Sequence, residues 1–359
     1  MRNGRIGKRR IPLEKIPHED SIKRVLNRYG LSADFSEYKA YIDREKNGWV
    51  KLIVSVLPEN GPRVVVKILR EDADERTLEQ EREKTEKQCA FAEAMRSRGI
   101  RTPKHFTADG KFCTNEEYHG IPCCTTVEEW CGEEVCEINA ERAFRIGELM
   151  ARMHTLSLEA SCKIGCGTLF SAAGWNDVDA FDRFCEITQD EQLDQQTVGK
   201  IRALRDEKLR AIREMWETLP KAAVQGDISI NNLVDGTDGL TVFDYNNAGD
   251  EVLISDLVME GLLTAYEMEL PQGADPRIRE TFFPAFLNGY LSVRSLSAAE
   301  AQVAWLVYTL YRALWFTRIV YREDSLEALV KRKDYDAANR LLAQMLADMT
   351  QPDDGRFRK

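Results

Sequence analysis

One short stretch, AVQGDISINNLVDGTDGLTVFDYN (residues 223–246), sets three polar side chains beside apolar, strand-forming residues: Asp227, Asn232 and Asp244. A carboxylate next to buried apolar surface is costly unless it is paired or binds something. Asp and Asn are poor strand formers, so Asp227, Asn231 and Asn232 fall in a loop ahead of a strand at Leu233-Val234. Asp235-Gly236 to Asp238-Gly239 reads as a hairpin turn. The chain then returns through residues 240–243 and delivers Asp244 at the strand's end, close to Asn232, with Asp227 a short loop away. Amide and carboxylate oxygens are the hard ligands that Mg²⁺ takes alongside phosphate oxygens. Asp227 can then accept a proton from an attacking hydroxyl, or orient it. Turn chemistry alone explains residues 235–239, but it requires neither Asp227 nor Asp244.

Gly226-Asp227-x4-Asn232, followed by Asp244 after an apolar strand, resembles the signature of the aminoglycoside phosphotransferase and choline kinase group, relatives of the protein kinases. The resemblance implies Asp227 as catalytic base, Asn232 and Asp244 as Mg²⁺ ligands, and ATP (or GTP) as phosphate donor. Asp256, in ISDL, corresponds to a further aspartate of that group and is taken as structural. The match departs from the group's pattern in places. Gln225 stands where His is usual, and Ser229 and Ile230 where His and Pro are common. Tyr245 and Asn246 follow Asp244 without a glycine, so no DFG-type switch is expected.

In VVVKILRE, Lys67 interrupts an apolar strand. Taken alone it is an edge lysine snorkelling to water; within the resemblance it is the lysine that contacts the nucleotide's α- and β-phosphates. Its expected partner is Glu86 on the following helix. Gln88 occupies the spacing at which many relatives carry the acid, and Glu93 shares the helix face of Glu86. No GxGxxG is present, so backbone N–H groups near residues 46–48 in DREKNGW would have to cover the phosphates. Val127-Glu128-Glu129-Trp130-Cys131 resembles the connector whose backbone hydrogen-bonds adenine, which makes Glu128 and Trp130 nucleotide-binding candidates. An indole in isolation reads first as a packing residue. His154, on the apolar side of GELMARMHTLS, reads as a packing histidine.

The elements needed to hold these residues are legible. DSIKRVLNRYG has Ile22, Val25, Leu26 and Tyr29 at helical spacing, with Gly30 as a stop. A three-strand antiparallel meander follows, hinged at Asn47-Gly48 and at residues 58–62, its last strand at 63–69. A charged helix spans roughly 75–98. After a second β-rich section the character turns helical from Asn139, and 298–349 reads as two or three long helices. WNDVDAF and the aromatic-rich 302–323 read as core. The expected fold is α+β and two-lobed, protein-kinase-like: residues 1–126 a nucleotide-binding lobe, 127–135 a hinge, 136–359 a catalytic and substrate lobe.

The whole chain of 359 residues is 43% hydrophobic and 31% charged, as in ordinary soluble proteins. A net charge of −10 argues against nonspecific nucleic-acid binding and is compatible with a cationic small substrate. No apolar run has the length of a membrane span, and the basic N-terminus lacks the apolar stretch of a secretory signal. Nine cysteines, an odd number scattered between positions 89 and 185, read as reduced cytosolic thiols without zinc spacing. The resemblance implies a small hydroxyl-bearing molecule as acceptor. Asp250, Glu251, Glu260, Glu267 and Glu269 form either a wall suited to an aminoglycoside or choline-like amine, or an ordinary solvated face. The rival readings are a metabolic kinase of choline, homoserine or sugar type, and a non-catalytic nucleotide-binding pseudokinase.

Overall fold

In the computed structural model the described residues are 18–46, 48–71, 76–135, 139–168, 170–172, 180–267 and 278–358. They divide into two units. The first comprises Met1–Glu134, Lys163–Cys166 and Asn232–Asn246; the second comprises Val135–Cys162, Gly167–Asn231 and Asn247–Lys359.

In the first unit, helical spacing buries Ile22, Val25 and Leu26 on α1 (Glu19–Arg28). The chain leaves α1 through Gly30 at φ +72, a left-handed conformation that glycine adopts without strain. Strands β1 (Phe35–Lys46), β2 (Trp49–Pro58) and β3 (Val64–Arg70) form the antiparallel meander read from the sequence. Asn47 lies outside the described residues; Lys46 pairs with Trp49 around it, and Gly48 has φ +85. Helix α2 (Leu78–Ser97) begins at a capping box made by Thr77 and Gln80. Strands β4 (Thr114–Tyr118) and β5 (Ile121–Glu129) complete an antiparallel sheet in the order β1-β2-β3-β5-β4. Its buried face, with Val54, Val56, Val64, Val66, Ile68 and Val127, packs on Leu26 and Val25 of α1. Each such side chain contributes about 1.5–3 kcal/mol on burial, which stabilises the sheet that carries the site residues.

The second unit starts with α3 (Ala140–Glu159), α4 (Phe181–Ile187), α5 (Gln195–Trp216) and β6 (Lys221–Val224). The chain next supplies β7 (Leu233–Gly236) and β8 (Gly239–Val242) to the first unit, then returns as β9 (Gly249–Val252), antiparallel to β6. Helices α6 (Leu253–Glu267), α7 (Ile278–Val293), α8 (Ala298–Leu314), α9 (Phe316–Ile319), α10 (Leu326–Lys331) and α11 (Tyr335–Thr350) follow. Backbones of α3 and α7 touch because two residues have no side chain. A Cβ on Gly147 would lie 1.9 Å from the Phe286 carbonyl oxygen, and one on Gly289 1.9 Å from that of Phe144. The aromatic-rich 302–323 is core as read, with Trp305, Tyr308, Tyr311 and Trp315 buried, although Tyr321 is exposed. Most of WNDVDAF lies outside the described residues. Among the described residues, no helix is long and apolar enough to cross a membrane, and eight cysteines carry free thiols.

Candidate active site

The hairpin predicted at 233–242 exists as the β7–β8 pair, with Leu233 opposite Val242 and Gly236 opposite Gly239. One step beyond the ladder, the Phe243 N–H donates to the Asn232 carbonyl at 3.0 Å. Asn232 and Asp244 therefore sit at the same, open end of one hairpin. Asn232 is buried, and Asp244 has φ +58, a left-handed conformation that aspartate tolerates better than most residues. Their amide and carboxylate oxygens are a donor set of the kind Mg²⁺ accepts.

Lys67 lies on β3, 4% exposed, with Nζ 3.3 Å from Asp244 Oδ1 and 3.1 Å from Glu128 Oε1. It does not snorkel to water. Burial alone would depress the ammonium's pKa, but Asp244 and Glu128 outweigh it and raise the value above the ordinary lysine range. Glu128 is equally buried. Burial pushes its carboxyl up, yet the Lys67 charge and the His105 hydrogen bond hold it down to about 2. His105 in turn has Nε2 3.2 Å from Glu128 Oε2 and Nδ1 3.4 Å from Glu93 Oε1. Burial opposes the imidazolium, but Cys89, Glu128 and Glu93 together lift the pKa of His105 well above its usual value.

The pairing expected between Lys67 and Glu86 is corrected. Glu86 accepts the backbone N–H groups of Phe112 at 3.1 Å and Cys113 at 2.9 Å, so its carboxylate closes a loop, while the acid on Lys67 comes from β5. Trp130 donates its indole N–H to the Tyr41 hydroxyl at 2.9 Å and stacks under the Arg63 guanidinium at 5.0 Å. Gln88 donates from Nε2 to the Asn246 carbonyl at 2.6 Å, and Phe91 meets the Tyr245 ring edge-on. Through these two contacts α2 grips the segment that follows Asp244.

Asp227 belongs to the second unit, and the chain passes to the first between Asn231 and Asn232. Gln225, buried, accepts the Asp227 N–H on Oε1 at 2.8 Å, so an amide does the holding at the position where His is usual. Gly226 has φ +72, and a Cβ there would lie 2.6 Å from the Asn247 carbonyl oxygen; only glycine fits. The Asp227 carboxylate accepts from the Ser229 hydroxyl on Oδ1 and from Asn247 Nδ2 on Oδ2, both at 3.1 Å. Glu260 Oε2 accepts the Ile228 N–H at 2.9 Å. Further in, His154 bridges the Tyr290 hydroxyl (2.8 Å) and Asp256 Oδ2 (2.9 Å), a buried contact that ties α3, α6 and α7 together.

For two of the downstream acids, neither the substrate wall nor the solvated face holds. Glu251 and Glu260 are buried and engaged with Thr168 and the Ile228 backbone, so they present no charge to solvent. Glu269 and the Glu267 side chain lie outside the described residues. Sequence reasoning missed Asn247 and His105, and named Ser229 only as a departure from the group's pattern. Asn247 follows Asp244 by three positions and was readable as a polar residue near the motif; nothing local marked His105, whose partners lie on two other elements.

No family model matches the sequence, and no curated protein matches it. Solved structures do match. A microcompartment-associated aminopropanol kinase is similar over 92% of this chain and 98% of its own, with 18% identity and a TM-score of 0.57. An amicoumacin kinase solved with AMP-PNP, Ca²⁺ and amicoumacin covers 92% and 95%, at 15% identity and a TM-score of 0.57. A spectinomycin phosphotransferase solved with ADP and spectinomycin covers 92% and 98%, at 12% identity and a TM-score of 0.51. The fold is that of the protein-kinase-like phosphotransferases. In this protein-kinase-like fold the five-stranded sheet is the small lobe, and the helices from α3 onward make the larger one.

Proposed function

We propose that this chain is a Mg²⁺-dependent phosphotransferase that moves the γ-phosphate of ATP (or GTP) to a hydroxyl of a small molecule. The observation that carries the reading is the buried Lys67 ammonium on Asp244, at the hairpin end that also bears Asn232. A buried lysine beside a carboxylate–amide oxygen pair is what a polyphosphate requires: a fixed cation and hard ligands for the accompanying ion. Asn232 and Asp244 would hold Mg²⁺, whose part is to neutralise phosphate charge. Lys67 binds phosphate oxygens, and residues 127–131, with Trp130, serve the base. Asp227 takes the acceptor's proton on a carboxylate oxygen as the acceptor oxygen bonds to the γ-phosphorus. The bond from that phosphorus to the bridging oxygen breaks, and the nucleoside diphosphate leaves with the electron pair. Ser229 and Asn247 keep the Asp227 carboxylate oriented for that transfer.

Similarity to an aminopropanol kinase and to two antibiotic kinases supports an acceptor class of hydroxyl-bearing amines, aminoglycosides and amino alcohols among them. The test is ADP release with Mg-ATP or Mg-GTP across a panel of aminoglycosides, amino alcohols, choline, homoserine and sugars. Acceptor-dependent release that EDTA abolishes is expected. Binding of Mg-ATP without release on any acceptor would favour the pseudokinase reading instead.

A further inference from the structure

We propose that Glu128 is the positioning residue for Lys67, and that His105 holds Glu128 in that role; the inference rests on the reading of Lys67 as the phosphate-binding lysine. Lys67 pairs with Thr126 across the β3–β5 ladder, and Glu128 lies two residues along, on the same face of the adjacent strand. From there one carboxylate oxygen meets Lys67 Nζ at 3.1 Å and the other meets His105 Nε2 at 3.2 Å. Both oxygens are thus matched by buried partners, the Lys67 ammonium and the His105 ring, the condition under which a buried carboxylate is tolerated.

His105 is itself fixed from three sides. It bridges Glu128 in antiparallel fashion, and its flanks are zipped to β5 by Phe106 N–H to Val127 O (2.8 Å) and Glu129 N–H to Lys104 O (2.9 Å). Its own N–H donates to Glu93 Oε1 at 2.7 Å, which links the cluster to α2. The two α2 positions from which an acid was expected are engaged elsewhere: Glu86 on the Phe112 and Cys113 N–H groups, Gln88 on the Asn246 carbonyl. A partner on a neighbouring strand of the same sheet holds Lys67 from within the sheet, because lysine and acid lie on adjacent, hydrogen-bonded strands.

Two readouts test this. The first is the rate at which an amine-acylating ester labels Lys67 in the ligand-free protein, followed by peptide mass spectrometry; it needs no catalytic activity. The second is the KM for Mg-ATP against that for the acceptor. Glu128→Gln is expected to speed Lys67 labelling severalfold and to raise the nucleotide KM about tenfold, with the acceptor KM within about twofold. Glu128→Asp recovers most of both effects, and Glu86→Gln changes neither. Should Glu128→Gln fail to fold, His105→Asn is measured in the same way, and faster Lys67 labelling is again expected. Wild-type labelling in the folded Glu128 or His105 variant, or faster labelling in Glu86→Gln, overturns the proposal. A wild-type protein that never turns over removes the phosphotransferase reading but leaves the labelling result to decide whether Glu128 holds Lys67.

Discussion

At the scale of single residues, the loop 225–227 is specified by backbone geometry more than by chemistry. Gly226 has a left-handed φ of +72 and faces the Asn247 carbonyl at a distance that admits no Cβ. Gly226→Ala should therefore destabilise by about 1–3 kcal/mol, and should lower kcat more than it raises the nucleotide KM because Asp227 moves with it. Chemical denaturation and steady-state kinetics on that variant check both. The Gly-Asp-x4-Asn spacing was readable because a motif is a local property of the chain. Gln225 was also readable as a loop-holding amide, and it accepts the Asp227 N–H. His105 was not, since its significance arises only where β5 and α2 meet it.

At the scale of elements, the sheet and the helices follow from patterns the sequence displays: alternating valines in β2 and β3, the Thr77 capping box, the i, i+3, i+4 spacing in α1. What the sequence left ambiguous was which element supplies the acid for Lys67. Helix spacing pointed to Glu86, with Glu93 on the same face and the amide Gln88 where relatives carry the acid, and nothing in a helical pattern reports that a neighbouring strand carries a better-placed carboxylate. Close backbone crossings were equally silent. Gly147 on α3 and Gly289 on α7 mark one where a methyl group has no room. Gly147→Ala should cost about 3 kcal/mol or more, since the obstacle is backbone that cannot rotate aside, and should lower Tm by roughly 5 °C or more. Differential scanning calorimetry would show this; an unchanged Tm would mean that the helices separate freely. An exposed control such as Gly199→Ala on α5, with open space at its Cβ position, should be neutral or slightly stabilising.

At the scale of the whole molecule, the buried charges of the sheet tie stability to pH. Glu128 falls from an ordinary 4.5 to about 2, so its contribution is fully present above about pH 4.5 and is lost as the pH drops toward 2. His105 is shifted the other way, so its contribution is fully present below 6.5 and is lost as the pH rises past its elevated folded value. Denaturation midpoints should thus fall between pH 4.5 and about 2, and Glu128→Gln should flatten that decline. An equally steep decline in the variant would place the acid-sensitive group elsewhere. The proposed phosphoryl transfer requires Asp227 as the base, with Lys67, Asn232 and Asp244 holding the nucleotide. The most direct measurement is Asp227→Asn assayed in parallel for Mg-ATP affinity and for phosphoryl transfer to the best acceptor. Affinity within about threefold of wild type with kcat reduced at least a hundredfold is the predicted result. Turnover retained in that variant would contradict it.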